Sequence, residues 1–473
     1  MGAKAISLHH KDNFLTLNQG MDPEKHTRYL TSYKPNDVFW GLGIENETYL
    51  QFTKSFAHPT AGIHTNHRPE RYSVNYYMGL NPEYKTHMKM LFPIEKLLHE
   101  IPIYINSHTL QSTDISGNHR TTYEKIPKPN PLYKGKSVHE VLCEENPQQF
   151  QDKYKVNYTF DGDTIEFMTQ NFYKTTAKDV IKELVDEKAL FIKSINRVFK
   201  EKAIFREYGS VLYPKRNEPF VTYLTNPKNI AIFNNGTYHI NLTLPTQLGS
   251  DAMPLDNTAF VLTHKALIRY IQFLEPFLIV MYGTPDPFSK VSDRYSKASQ
   301  RCAVSRYIGI GTYDTDEMMT GKVLNKPVEE FPQSKLDYWW YYEYTQSSNY
   351  IPLPKIGVDI NFRKHGVHGI EIRFLEWFPE ERLQNIMTFF IHLCDYSLKH
   401  GDPGNPISDP IWNRFVVNVL KNGPDTILEE DEFKIYQDLF KLPKDSSRSI
   451  NTLCSSIEQE LLSVKGICVN LML

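Results

Sequence analysis

The stretch YHINLTLP, residues 238–245, alternates polar and apolar side chains with the period of a β-strand. Side chains two residues apart project from the same face of a strand, so His239 and Asn241 share one face. The opposite face carries Ile240 and Leu242. This alternation predicts a sheet whose apolar face packs against helices and whose other face carries polar groups.

Three further segments show the same spacing with charged residues in the polar positions. GIENET carries Glu45 and Glu47 two residues apart, and IEIRF carries Glu371 and Arg373. TIEFM adds Glu166 between apolar neighbours. If these strands belong to one sheet, we expect their polar side chains to meet on one face together with the polar pair of the first stretch.

Carboxylates that meet in this way call for a particular chemistry. They repel each other and are poorly solvated in a cleft, so they require cations nearby. Oxygen ligands with one imidazole suit Mg²⁺ or Mn²⁺ bridging the phosphates of a nucleotide. Arg373 beside them is suited to hold a transferred phosphoryl group. The alternative reading of the same pattern is a sheet with one solvated face, where alternating charged residues are common.

The composition excludes several classes of protein. Lys and Arg, 53 residues, nearly balance Asp and Glu, 55 residues, and the net charge of −2 supplies no general attraction to nucleic acid or to an anionic membrane. The 5 cysteines are scattered without a CxxC pair, which indicates a reducing compartment. We expect neither a signal peptide nor a membrane span. The sequence therefore predicts a soluble cytoplasmic protein without nucleic-acid or membrane partners.

Strand-like and helix-like segments are mixed along the chain without a repeat or a regular strand–helix alternation, which favours an α+β fold. The sequence shows no domain boundary. The prediction is a single large catalytic domain over residues 1–473. It carries an exposed insertion near 106–137, where Pro, Gly, Asn and Ser accumulate, and a helical C-terminal extension near 410–473.

Strand periodicity and helix-capping residues predict where the main strands and helices lie. Strands are expected over 38–52 and within 156–170. Thr176 is expected to cap a long helix with Asp179 three residues later. Pro276 should kink or break a second helix, and a third should begin near Pro379.

The segments, in this order, resemble those of the glutamate-cysteine ligases and related carboxylate-amine ligases of the glutamine synthetase superfamily. HINLTLP is similar to the family strand HxNFSLP, and GIENET to its opening ExE strand. DTIEFMT resembles its second acidic strand, and IEIRFLE resembles IExRSLD. Ser305 and Arg306 with the following GTY resemble an SxR…GY segment more loosely. The matches extend from residue 43 to residue 376.

The resemblance implies a curved, mainly antiparallel sheet with helices packed behind it, and ATP and metal ions on its concave face. It implies an ATP-dependent ligase that phosphorylates a substrate carboxylate and lets an amine displace phosphate from the acyl phosphate. The substrates would be small molecules, with glutamate and cysteine, as in glutathione biosynthesis, the foremost pair. Mg²⁺ is the expected metal, with Mn²⁺ as the other possibility, and the oligomeric state stays open.

The resemblance also assigns roles to individual residues. The implied metal ligands are Glu45, Glu47, Glu166, His239 and Glu371; the implied nucleotide contacts are Asn241, Arg373 and Glu376; the implied catalytic residues are Arg373 and Arg306.

The chain departs from the family pattern at three positions. Thr159 stands where the family has an acidic residue, and Asp161 or Asp163 is a candidate substitute. Phe374 replaces a small polar residue, and Glu376 replaces Asp. Two alternative functions remain: a small-molecule phosphotransferase of the guanidino-kinase type, and a non-catalytic descendant that binds nucleotide.

Overall fold

The structure is a computed structural model of the chain. It describes residues 34, 37–55, 102–105, 107–112, 121–122, 128–129, 135–161, 164–170, 175–200, 209–215, 236–290, 295–307, 312–317, 322–324, 359–363 and 368–473. A six-stranded sheet lies at the centre of these residues; two long helices pack against it, and a third packs against both helices.

The strands within the described residues form one large sheet and three small ones. The central sheet has the order β12-β13-β9-β1-β7-β6, and every neighbouring pair in it is antiparallel. The described strands are β1 (Val38–Thr48), β2 (Leu50–Ser55), β3 (Pro102–Ile105), β4 (Thr121–Thr122), β5 (Lys128–Pro129), β6 (Tyr158–Asp161), β7 (Thr164–Met168), β8 (Val211–Leu212), β9 (Thr237–Gln247), β10 (Thr312–Asp314), β11 (Lys322–Leu324), β12 (Ile360–Phe362) and β13 (Ile370–Ile372).

The helices follow the strands irregularly, which confirms the α+β class. The described helices are α1 (Ser107–Ser112), α2 (Val138–Glu145), α3 (Pro147–Phe150), α4 (Ala177–Phe199), α5 (Asn257–Tyr282), α6 (Gln300–Tyr307), α7 (Leu383–His400), α8 (Pro410–Asn422), α9 (Glu430–Phe440), α10 (Ile450–Ser463) and α11 (Ile467–Met472). None of the described helices is both long and apolar enough to cross a membrane.

The apolar face of the central sheet packs against helices, as the alternation predicts. Ile44, Ile240 and Ile372 lie opposite one another on adjacent strands and are fully buried in the main hydrophobic cluster. Helix α4 packs against β1 and β7, α5 packs against β9, and α7 packs against both helices. Burying these side chains contributes about 1.5–3 kcal/mol each to folding.

The helix signals are largely confirmed. The Thr176 side chain accepts a hydrogen bond from the backbone N–H of Asp179 at 3.2 Å, and α4 begins at the next residue. Pro379 precedes a short 3₁₀ turn that leads into α7. Of the kink or break predicted at Pro276, the break does not occur, because α5 is continuous from Asn257 to Tyr282. Pro276 is buried with almost the whole second half of α5, so packing on all sides outweighs the lost backbone hydrogen bond.

The two long predicted strands are each divided. The first ends at Thr48, and the chain resumes at Leu50 as β2, which pairs with β3 and β8 in a separate sheet. The second forms the hairpin of β6 and β7. The division after Thr48 is physically important because β1 then belongs to the central sheet alone, between β9 and β7.

The C-terminal helices α8 to α11 join the same hydrophobic cluster as the sheet. The Tyr436 hydroxyl on α9, for example, donates to the carbonyl of Phe273 on α5 at 2.8 Å. Near the start of the region predicted as an exposed insertion, Leu110 is buried in that cluster, so this part is packed and not exposed. Most of the remaining insertion lies outside the described residues.

Candidate functional site

The register of the central sheet brings the predicted polar residues into rows on one face. Glu45 lies directly opposite His239, and Glu47 lies opposite Glu166. Glu371 lies opposite Asn241. Because directly opposed residues project from the same face, all of these side chains belong to one surface of the sheet.

His239 lies among three carboxylates on this surface. Its Nδ1 is 3.4 Å from Oε2 of Glu45 and 3.7 Å from Oε1 of Glu371. Its Nε2 is 3.7 Å from Oε1 of Glu47. The imidazole is thus the common neighbour of the acidic residues of β1 and β13.

The polar face at these positions is buried. Glu45, Glu47, His239 and Glu371 are each 3% exposed or less. A routinely solvated sheet face, the alternative that the alternation left open, therefore does not describe them. Burying several carboxylates together is costly unless positive charge is present, so the arrangement calls for a cation.

The donor set fits a divalent cation. Ligand atoms from Glu45, His239 and Glu371 all lie within 4.8 Å of one another. Carboxylate oxygens are the preferred ligands of Mg²⁺ and Mn²⁺. Nε2 of His239 faces Glu47, and Nδ1 faces Glu371. When the proton of the neutral ring is on Nε2, the lone pair of Nδ1 is available to a cation between Glu45 and Glu371. Among the described residues Nε2 of His239 has no hydrogen-bond partner, and Oε1 of Glu47 lies 3.7 Å from it.

Arg373 adjoins this group. Its Nη1 donates to Oε1 of Glu371 at 2.9 Å. Burial lowers the pKa of Arg373, but the carboxylates of Glu371, Glu47 and Glu45, with a contribution from Asp161, outweigh burial and raise that pKa. The guanidinium therefore stays charged beside the acidic rows.

Glu47 and Glu166 form a second acidic pair next to the first group. They face each other across β1 and β7, and the Thr237 hydroxyl donates to Oε2 of Glu47 at 3.1 Å. Thr159 lies opposite Glu166. Asp161, two residues further along β6, shares this face, whereas Asp163 lies outside the described residues.

Asn241 has the character of a ligand-binding residue. It is buried in the row of Glu371, and its Nδ2 has no hydrogen-bond partner in the described part of the chain. A buried amide N–H without a partner costs about 1–3 kcal/mol, which an acceptor on a bound molecule would recover.

The hydrogen bonds described for Glu376 go to backbone groups at α5 and α6 and not to the acidic residues of the sheet. Its Oε2 accepts from the backbone N–H of Thr284 at 2.8 Å, just after α5, and its Oε1 accepts from that of Arg301 in α6 at 3.3 Å. Burial raises the pKa of Glu376 to about 7, although hydrogen bonds from Ser299 and these two N–H groups partly oppose the rise. These contacts give Glu376 a structural task between two helices, and its contact with nucleotide stays a prediction.

The predicted catalytic residue Arg306 belongs to α6, but its side chain lies outside the described residues.

Sequence reasoning missed two polar residues of the same face, Asn361 and Thr237. Asn361 on β12 lies opposite Glu371 and donates from Nδ2 to its Oε2 at 2.7 Å. Thr237 opens β9 opposite Glu47. The alternation Ile360-Asn361-Phe362 was the available signal for Asn361, since it puts one polar side chain between two apolar ones.

Comparison with known proteins places the chain in a family. No family model matches it. Over 410 residues it is 42% identical to "Uncharacterized protein R704" of Acanthamoeba polyphaga mimivirus, covering 86% of this chain and 71% of the viral protein. The chain belongs to the R704 family. The name of the viral R704 protein states no activity.

Proposed function

We propose that this R704-family protein is an ATP- and Mg²⁺-dependent carboxylate-amine ligase. It would form an amide through an acyl phosphate, with the γ-carboxylate of glutamate and an amine such as cysteine as the foremost substrates. The observation that carries the proposal is the convergence of Glu45, His239 and Glu371, with Arg373 adjoining, on a buried face of an antiparallel sheet. The same sheet and the order of its motifs support a glutamine synthetase-like arrangement.

Glu45, His239 and Glu371 would hold one metal ion, and Glu47 with Glu166 would contribute to a second position. A bound divalent ion supplies charge neutralisation for the phosphates of ATP and polarises the transferred phosphoryl group. Two positions fit the four glutamates on this face, since a single divalent ion balances only two of their four negative charges.

Arg373 is suited to the phosphoryl group. One guanidinium nitrogen is held by Glu371, which fixes the plane of the fork. Its Nε has no hydrogen-bond partner among the described residues and is buried. An N–H donor held in this way can stabilise negative charge that develops on a phosphoryl oxygen, and the donor does not have to move first.

Burial of the site also suits a ligase. An acyl phosphate is destroyed by water, so the amine must reach it before water does. The low exposure of Glu45, His239 and Glu371 supports a reaction that proceeds away from bulk solvent.

The decisive experiment follows inorganic phosphate release from ATP and Mg²⁺ by the full-length protein, first with glutamate alone and then with a panel of amines that includes cysteine. The proposal expects amine-dependent phosphate release and a product with the mass of both substrates less water. Phosphorylated product and ADP without free phosphate would indicate the phosphotransferase instead. Nucleotide binding without turnover across the panel would indicate the non-catalytic descendant.

A further inference from the structure

Asn361 lies at the edge of the acidic surface and contacts one of its carboxylates. It stands on β12, the outermost described strand next to β13, directly opposite Glu371. Its Nδ2 is 2.7 Å from Oε2 of Glu371, and both side chains are almost completely buried. This short contact joins a neutral amide to a carboxylate, which makes it a charge-assisted hydrogen bond.

The bond settles how the Glu371 carboxylate is oriented. An ionised carboxylate only accepts hydrogen bonds, so the amide must present its N–H₂ and not its oxygen to Oε2. Oε1 therefore points to the other side. There it accepts a hydrogen bond from Nη1 of Arg373 and lies 3.7 Å from Nδ1 of His239. The two oxygens of Glu371 thus have separate neighbours.

Strand pairing alone does not account for Asn361. Ile360 and Phe362 on β12 already pair with Ile372 and Ile370 on β13 through the backbone. A buried polar side chain at the edge of a sheet brings a desolvation cost that an apolar residue would avoid. Its hydrogen bond to Glu371 is therefore the feature that explains its presence.

We propose that Asn361 is a positioning residue that holds the Glu371 carboxylate with Oε1 turned toward His239, so that the cation site is preformed. This role rests on the proposed function, because it presumes that Glu371 is a metal ligand. Removing a group that orients a metal ligand in this way commonly weakens metal binding by about 10–100-fold. Asn361 itself binds neither metal nor substrate in this proposal.

The test is a Mn²⁺ titration of the full-length protein without nucleotide, with free Mn²⁺ measured by electron paramagnetic resonance. The variants are Asn361→Leu, which removes the donor at similar volume, and Asn361→Ser, whose hydroxyl is too short to span the same gap. The matched control is Asn157→Leu. Asn157 is buried just before β6, at the opposite edge of the sheet, and its side chain accepts from Gln170 instead of contacting a carboxylate.

We expect both Asn361 variants to bind Mn²⁺ about tenfold or more weakly and to broaden the spectrum of the bound ion, because Glu371 is then free to rotate. Asn157→Leu should bind Mn²⁺ like the wild type. If the wild type binds Mn²⁺ and both Asn361 variants bind it equally well, the positioning role is wrong while the metal site stands. If the wild type itself binds no Mn²⁺, the metal site and the role of Asn361 both fail. Should Asn361→Leu not fold, Asn361→Ser alone decides.

Discussion

Glu45 Oε2 lies 3.4 Å from Nδ1 of His239, although 194 residues separate the two in the chain. Two 11-residue strands, β1 and β9, bring them together by pairing along most of their length. Such pairing fixes register over many backbone hydrogen bonds, because a slip by one residue would move every side chain to the other face. The site is therefore built on the most firmly paired part of the sheet, as a preorganised site requires.

Replacing Glu371 by Gln should abolish metal-dependent turnover and leave the fold intact. The change removes one charge and little volume, and an amide is a poor ligand for a hard cation in place of a carboxylate. We expect turnover to fall at least about 100-fold, measured as ATP-dependent phosphate release, with an unchanged circular dichroism spectrum. Glu381→Gln, at an exposed position before α7, is the control and should keep full activity. Full activity in the Glu371 variant would contradict the site assignment.

Replacing Arg373 by Lys should lower turnover by at least about tenfold with little change in ATP affinity. Lysine keeps the charge but loses the planar fork that allows one nitrogen to bond Glu371 while another faces the substrate. The comparison is kcat against KM for ATP. Arg414→Lys, in which the arginine contacts Asp431 and Glu432 outside the sheet, is the control. Weaker ATP binding at unchanged turnover would instead assign Arg373 to binding alone.

Replacing Thr237 by Val should raise the Mg²⁺ concentration needed for half-maximal turnover by about tenfold. The hydroxyl of Thr237 donates to Oε2 of Glu47, and valine keeps the shape without the donor. Turnover at saturating Mg²⁺ should change little. Thr263→Val on α5, where the hydroxyl bonds a backbone carbonyl, is the control. An unaltered Mg²⁺ requirement would show that Glu47 does not depend on this bond.

Glu376 should make the folded state less stable as pH rises. Its pKa is about 7 in the folded protein, above the ordinary value of 4.5, so the folded state holds a proton that the unfolded chain has lost between these values. Stability that is present below about pH 4.5 is therefore lost as pH rises to about 7, at up to about 1.4 kcal/mol per pH unit. Urea unfolding at several pH values measures the slope. Glu376→Gln should flatten it; an identical slope in the variant would exclude Glu376 as its source.

His264 should act in the opposite direction. Burial lowers the pKa of His264 to about 4, and the neutral ring accepts from the N–H of Leu244 while contacting the carbonyl of Phe260. The folded pKa lies below the ordinary value of 6.5, so stability is lost as pH falls through this interval. Acid unfolding of His264→Gln, an uncharged side chain that both donates and accepts, should begin at lower pH than that of the wild type. Coincident acid transitions would contradict this role.

Sequence alternation predicted which residues share a face, because the two-residue period of a strand is a local property. It placed Glu45, Glu47, Glu371 and His239 on one face, and the structure brings them together. Alternation could not show that this face is buried. Burial depends on what the rest of the chain places over it.

The errors have equally specific causes. The nucleotide contact of Glu376 rests on the family resemblance alone; β13 ends at Ile372, and Glu376 bonds the backbone of Thr284 and Arg301 beyond the sheet. Asn361 and Thr237 escaped notice because their partners are defined by register between separate segments. A kink or a break is expected at Pro276 from a local rule, and the helix continues there because it is packed on all sides.

The separation of Glu45 and His239 by 194 positions also bears on biosynthesis. During translation β1 leaves the ribosome long before β9 and β13 exist, so its two glutamates have no imidazole beside them and stay in water until the sheet closes. The proposed site of Glu45, His239 and Glu371 is complete only when β1, β9 and β13 are all present. Under the proposed function, filling of this site would therefore follow synthesis and folding of all three strands.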